Sequence, residues 1–432
     1  MALLKIASKT YSFSKLLFLF SFLFTSSIIG QTNPPDNAIH DSIKKTDTNF
    51  FKQKHLTGNW WGARSFLEER GLVFNFKYSS IYQGLMTGTG KKEFEYGGKV
   101  NALISLETEK MKLWKGGKFN FHIEYRHGEA PANLGGALFT INTAIFLPSD
   151  SPEMLEATSI YYTQKIGDGI SISLGKFNPV DLYETDQFYG GWGVDRFMNI
   201  ALLAPPSGLV PVVFMGASVS INLKPITVTA IVFDPNDRTN DYFPDDLFKD
   251  GVTFAANATG VTKIAGRKTT YGITGFITTA DGLDYSSIGS GVVNTNNKSG
   301  AFDVNIQFKH NLKESTENPN EAWGITFKAG IADGNPNYVR ANIIAGIGGS
   351  PLFFGRPQDS FGLGYFFYNL SDVLEEYLSP FAAGTDESGL ELFYNYAITP
   401  WFYIGADMQY IDPFRELFEN AFIGGLRAQF RI

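Results

Sequence analysis

From Leu72 onward the chain alternates apolar and polar side chains in short runs. In "LVFNFKYSSIYQ", Leu72, Phe74, Phe76 and Tyr78 fall on one side, and Asn75, Lys77 and Ser79 on the other. In "KFNFHIEYR", Phe119, Phe121, Ile123 and Tyr125 alternate with Lys118, Asn120, His122, Glu124 and Arg126. "FDVNIQFKH" sets Phe302, Val304, Ile306 and Phe308 against Asp303, Asn305, Gln307 and Lys309. A period of two marks strands whose two faces meet different surroundings.

Sixteen such runs are predicted, at 72–83, 96–108, 117–127, 157–166, 169–178, 211–222, 225–233, 252–264, 269–280, 300–310, 322–332, 337–346, 360–369, 388–398, 401–411 and 421–432. Connectors alternate between short ("GDG", "AGR", "ITP") and long (128–156, 179–210, 234–251, 281–299, 371–387). Most runs match the roughly 9–11 residues that a tilted membrane strand needs. An even count, with short turns at one end and long loops at the other, is the pattern of an outer-membrane barrel. A soluble sandwich also alternates, but its inward face is aliphatic. Here the apolar face is rich in Phe and Tyr near strand ends, as membrane-interface girdles are, while the other face carries mixed charge.

The segment before the strands reads differently. "LTGNWWGARSFLEERG" (56–71) predicts one short amphipathic helix, with Asn59 as its cap and Gly71 as its stop. Ala63, Phe66 and Leu67 share one face; Arg64, Glu68 and Glu69 share another. Residues 31–55 form a polar leader, expected to be disordered. Residues 1–30 carry Lys5, Lys9 and Lys15, then the apolar stretch Leu16 to Gly30, and read as a secretory signal cut near Gly30. No later run has some 18 consecutive apolar residues, so an exported chain could span a membrane only as a closed barrel. The expected domains are therefore 1–30 signal peptide, 31–55 leader, 56–71 helix and 72–432 barrel: an all-β fold of about sixteen antiparallel strands.

Composition narrows the chemistry. There is no cysteine, which excludes thiolate metal sites and cysteine nucleophiles. A net charge of −7 makes nucleic acid an unsuitable partner. The five histidines show no metal-ligand spacing, and no nucleophile-elbow sequence occurs. The acidic run "FDPNDRTNDYFPDD" (Phe233 to Asp246) lacks the spacing of a calcium loop and reads as an exposed acidic loop. Neither a cofactor nor an enzymatic activity is expected.

Four stretches resemble the carbohydrate-selective outer-membrane porins, the OprB family. They are "LTGNWWGARSFLEERG", "GRPQDSFGLGYFFYNLS" (Gly355 to Ser371), "LELFYNYAITPWFYIGADMQYI" with Glu391, Asp407 and Gln409, and the closing "GGLRAQFRI". They occur in the family's order from about residue 56 to the end. The loop Ile411 to Phe414 and the terminal Ile432 depart from the family pattern. The resemblance implies a sixteen-stranded barrel that passes sugars across the bacterial outer membrane by facilitated diffusion, with loops folded into the lumen to narrow it. Sugars, outer-membrane lipid and the barrel-assembly machinery are the implied partners, and a homo-oligomer is left open. A general porin or a channel for other solutes, such as anions, is the alternative; a barrel enzyme is a distant one.

Diffusion through a pore needs a wet channel and weak repeated binding rather than catalytic groups. Charged groups bond sugar hydroxyls, and aromatic rings cover the sugar's CH face. By parity, the lumen-facing candidates are Lys77, Lys118, His122, Glu124, Arg126, Arg340, Glu391, Asp407 and Arg427. The long loop 179–210 is the expected constriction, through Asp181, Glu184, Asp186, Tyr189, Trp192, Asp195 and Arg196, with Trp192 and Tyr189 stacking on sugar. In the hairpin at 390–413, Trp401 is expected at the periplasmic rim.

Overall fold

The computed structural model describes residues 49–129, 134–146, 154–203, 209–287, 296–318, 321–378 and 384–432. The stretch 1–30 that reads as a secretory signal, and the leader up to residue 48, lie outside the described residues. The strands are β1 (Leu72–Thr87), β2 (Phe94–Glu107), β3 (Gly117–Gly128), β4 (Met154–Ile166), β5 (Ile170–Phe177), β6 (Phe214–Asn222), β7 (Ile226–Phe233) and β8 (Thr253–Ile264). They continue as β9 (Arg267–Leu283), β10 (Asn297–Glu314), β11 (Ala322–Ala332), β12 (Val339–Gly349), β13 (Ser360–Leu370), β14 (Glu387–Thr399), β15 (Phe402–Asp412) and β16 (Ala421–Arg431). Each predicted run falls on one strand, with ends that agree within four residues.

Every strand pairs antiparallel with its sequence neighbours, and β16 returns to β1 to close the barrel. Closure satisfies the backbone of every strand within the wall, which hydrocarbon demands. The seam is regular from Lys77↔Arg431 to Leu85↔Ile423. Alternation places Leu174, Ile277, Ile306, Leu392, Ile404 and Leu426 on the exposed outer face. Lys77, Ser79, His122, Glu124, Arg126, Asp303, Glu391, Asp407 and Gln429 point inward and are buried there. Tyr78 stacks on Phe430 across the seam, and Phe402 stacks on Phe430 at 4.7 Å, so aromatic rings ring the short-turn end.

The N-terminal segment straps the short-turn end. The Leu56 amide donates to the Arg431 carbonyl at 2.7 Å, and Trp401 Nε1 donates to the Phe50 carbonyl at 3.0 Å. Trp401 thus sits at the rim, under Phe50 rather than under water. Helix α1 (Ala63–Glu69) follows a single 3-10 turn at Trp60–Gly62. Its N-cap position is Gly62, at φ +96, rather than Asn59, whose side chain instead reaches across the 3-10 turn to accept the Ser65 amide at 3.0 Å; Gly71, at φ +89, follows its end.

Helix α1 meets the barrel end through Arg64. Arg64 is the buried residue, whereas Ala63 and Phe66 are exposed. The reason is local. Arg64 donates through Nη2 to the Ile432 carbonyl at 2.9 Å and lies 4.5 Å over the Trp60 ring, so it is drawn against the barrel and turns the apolar face away.

Candidate functional site

The site is built by two long loops that enter the barrel. The first joins β3 to β4; its described part, 134–146, includes the short helix α2 (Thr143–Phe146). The second joins β5 to β6; its described part, 178–203 and 209–213, includes α3 (Ile200–Leu203). Their apolar residues Phe139, Ile141, Phe188, Phe197 and Leu202 pack on inward residues of one wall, among them Ile344, Phe366, Phe393, Ile411 and Ile423. This interior core explains two glycines of the "FGLGY" stretch. A Cβ at Gly362 would stand 2.8 Å from the Phe197 ring, and one at Gly364 would stand 2.9 Å from Leu202. Glycine there lets the loop lie against the wall.

Polar anchors fix the second loop from several sides. Lys77 of β1 pairs with Asp195 at 2.5 Å. Arg427 of β16 donates through Nη1 to the carbonyls of Val194 (2.8 Å) and Arg196 (2.7 Å). Gln429 adds a second donor to Val194 at 2.8 Å. Glu391 of β14 accepts the amides of Met198 (2.5 Å) and Asn199 (2.9 Å). Gln409 of β15 donates to the Ile141 carbonyl at 3.0 Å and accepts from Asn199 at 3.1 Å, so it ties both loops to one strand. Asp407 takes a second bond from the Gln409 amide at 3.0 Å.

On the opposite flank, Asp181 faces His122 Nδ1 at 2.8 Å and accepts from Ser159 (2.6 Å) and Trp192 Nε1 (2.6 Å). Lys99 pairs with Glu124 at 2.7 Å behind them. Arg126 donates to the Ile145 carbonyl at 2.8 Å and so holds the first loop. Asp186 accepts the amides of Phe188 and Tyr189 and pairs with Lys309 of β10.

The charged wall residues singled out by parity are thus mostly loop anchors rather than bare lining. Lys77, His122, Glu124, Arg126, Glu391, Asp407 and Arg427 all face inward and are buried. Lys118 also belongs to β3, half-buried near the short-turn end, opposite Glu107 and Thr163.

Three expectations need correction. Arg340 does not line the lumen, because the register of β12 against β13 shifts between Val339 and Ala341. It is exposed at the long-loop end, donating to Asn369 at 2.9 Å and pairing with Asp372 of α4 (Asp372–Leu378). Tyr189 and Trp192 offer no open ring face for stacking. Tyr189 is fully buried, its hydroxyl on Thr326 and its ring under Lys328 at 3.6 Å. Trp192 is 2 % exposed, held by Asp181 and flanked by His122 and Lys77.

The sequence reading passed over Lys99, Lys328, Gln429 and Tyr368 as anchors. Lys328 donates to the Leu203 carbonyl at 2.9 Å, and Tyr368 donates to the Ala201 carbonyl. Parity alone marks Lys328, since it sits two residues from Thr326 on the inward face of β11.

Beneath the second loop, at the short-turn end, lies a cavity of about 660 Å³. The loop roofs it with Glu184, Asp186, Asp195 and Arg196, and the wall adds Lys77, Tyr403 and Arg431. Both signs of charge meet this space. The wall of β5 to β10 is different in kind. In register from strand to strand run Ser171, Ser220, Thr229, Asn257, Thr274 and Asn305. Their strand neighbours Ile170, Ile172, Val219, Ile221, Val228 and Ile273 are exposed on the outer face, so this belt faces the lumen. The belt itself carries hydroxyls and amides; the inward charges Asp303 and Lys309 of β10 flank it.

A closed barrel with an apolar exterior, a polar interior and a loop folded into its bore is a porin. The sequence over residues 91–432 matches the carbohydrate-selective porin, OprB family, and the chain belongs to that family. Among solved structures, the high-pH structure of Pseudomonas putida OprB aligns with a TM-score of 0.78 at 19 % identity, over 89 % of this chain and 100 % of that one. The low-pH structure of the same protein aligns with a TM-score of 0.56 at 17 % identity, over 88 % of this chain and 99 % of that one. No curated protein matches the chain by sequence. The protein is a carbohydrate channel of the bacterial outer membrane, and family and fold point to a channel rather than an enzyme.

Proposed function

We propose that the channel admits neutral mono- and oligosaccharides to the periplasm along the uncharged belt of β5 to β10, and that the mixed-charge cavity under the loop is the last place of contact. The belt is the observation that carries this reading. Thr229 bonds Ser220 at 2.8 Å and Asn257 bonds Thr274 at 2.7 Å, so its groups are pre-oriented yet exchangeable with a sugar's hydroxyls. Neutral donors and acceptors bind hydroxyls weakly and let go, which conduction requires. In the cavity, Lys77, Asp195, Glu184 and Arg196 present both signs, so an ion of either sign meets a repelling group as well as an attracting one.

Liposome swelling over sugars of increasing size tests the reading. Faster entry of mono- and disaccharides than of anions of matched size supports it. A double variant, Thr229→Val with Thr274→Val, keeps the wall's volume and removes the hydroxyls. It should slow sugar entry about tenfold, as expected when one or two hydrogen bonds of roughly 1 kcal/mol are lost, while salt conductance holds. Equal slowing of sugar and salt, or equal entry of all small solutes, would reassign the protein as a general pore.

A further inference from the structure

One sector of the short-turn rim exposes more apolar surface than a water-facing rim accounts for. Trp61 is 96 % exposed, Phe66 is 51 % exposed and Leu113 is 60 % exposed, with Met111 and Trp114 beside it. They come from two elements that touch. Helix α1 ends at Gly71, whose carbonyl accepts the Glu107 amide at 2.7 Å, and a Cβ at Gly71 would stand 3.2 Å from the Met111 side chain. The turn 108–116 is rigid. The Leu113 amide donates to the Thr108 carbonyl at 2.9 Å, and the Thr108 hydroxyl donates to the Trp114 carbonyl at 2.7 Å.

Both elements continue the lipid-facing girdle. Trp60, at the root of α1, lies 6.3 Å from Phe74, which stacks on Phe76 on the outer face of β1. Trp114 donates to the Tyr162 hydroxyl at 2.8 Å and lies 6.3 Å from Phe119, on the outer face of β3. Charge follows the same layout. Lys110, Lys112 and Lys115 are exposed among Met111, Leu113 and Trp114; Lys110 also pairs with Glu107 at 2.8 Å and Glu109 is exposed beside it, so Lys112 and Lys115 carry the excess positive charge. A row of lysines interleaved with large apolar groups, at the level of an aromatic girdle, matches a layer with hydrocarbon below and anionic headgroups above.

We infer that α1 and the turn 108–116 form a basic-aromatic footing that embeds in the periplasmic leaflet of the outer membrane and binds anionic phospholipid headgroups. The orientation of α1 then has a purpose. Arg64 fixes the helix to the barrel end, and Phe66 and Trp61 are turned to the lipid.

The test uses the full chain in vesicles of phosphatidylcholine, with or without phosphatidylglycerol. Phosphatidylcholine brominated high on its acyl chains should quench part of the tryptophan emission, and Trp61→Phe should remove a share of that quenching. The preference for spin-labelled phosphatidylglycerol over spin-labelled phosphatidylcholine should fall on the order of tenfold in a Lys110→Gln, Lys112→Gln, Lys115→Gln variant. Heat-modifiable gel mobility shows that both variants close their barrels. If Trp61 responds to aqueous iodide and not to brominated lipid, the inference fails. It fails equally if lipid preference is unchanged in the lysine variant, or if Trp61 becomes shielded only as protein concentration rises, which assigns the surface to a second copy of the chain.

Discussion

Glu391 on β14 and Asn199 in the inward loop meet at 2.9 Å, and the same carboxylate also takes the Met198 amide. One side chain of the wall thereby holds two consecutive amides of a loop that arrives from the far side of the barrel. Hydrogen bonds of this kind contribute about 0.5–1.5 kcal/mol each. Glu391→Ala should therefore loosen the loop without opening the barrel wall. Single-channel conductance is expected to rise, and the size limit in sugar swelling to move upward. Unchanged conductance would show that the interior apolar core holds the loop by itself.

Arg427 works from β16 on neighbouring carbonyls. Its fork reaches Val194 and Arg196 through one nitrogen, while Gln429 reinforces Val194. A lysine keeps the charge and loses the planar geometry. Arg427→Lys should raise conductance less than Glu391→Ala does. The double variant should depart from additivity by about 0.5–3 kcal/mol, because both residues act on one loop. Protease nicking rates of the loop, read in both single variants and the double, give that coupling.

At the strap, burial first and then the cations Arg64, Arg431 and Lys54 push the His55 imidazole down from 6.5 to about 4. The docked strap resists protonation where the released strap does not. The docking is therefore complete above pH 6.5 and weakens as pH falls from 6.5 toward 4. The chain has no cysteine, so Phe51→Cys carries a unique spin label on the strap. Its spectrum should sharpen on acidification, and His55→Gln should hold it broad at pH 4.5.

Outside the barrel, Arg238 gathers Asp234, Asp241 and Asp246 at 3.1, 3.1 and 2.9 Å. The acidic run thus closes on an arginine, and among the described residues no group of His, Asp or Glu is arranged to hold a metal. Burial alone would raise the Asp234 carboxyl. Hydrogen bonds from Arg238 and from the amides of Phe248 and Asn236 outweigh it and leave the group below its ordinary 3.8. The loop's order is present above that value and is lost as pH falls through the lowered one. Arg238→Ala should expose the loop to protease at neutral pH, with sugar entry kept.

The wall was legible and the bore only partly so. Period-two alternation gave all sixteen strands, because a wall between lipid and a polar interior constrains every residue of every strand. In the 390–413 hairpin the expected faces hold: Leu390, Leu392 and Tyr410 are outward, and Glu391, Asn395 and Gln409 are inward. The interior core was not legible as such. Phe366, Phe393 and Ile411 break the polar series of the inward face, and alternation gives no reason for them until the loops that cover them are in place. Arg340 was misplaced for a related reason. A single shift in register near a strand end reverses parity, and composition does not announce it. Which side of α1 meets the barrel was not legible either, because it is set by Arg64 finding the Ile432 carbonyl of the last strand's end.

The inward loop takes its holds from both sides of the β1–β16 seam: Lys77 on one strand, Arg427 and Gln429 on the other. Until those two strands meet, Asp195 and the Val194 carbonyl cannot find their partners together. The complete set of holds therefore exists only in the closed cylinder. With the seam open, Lys77 and Arg427 could not both hold the loop as they do in the closed wall. Residues placed inside the bore thus also bridge the barrel's closing seam.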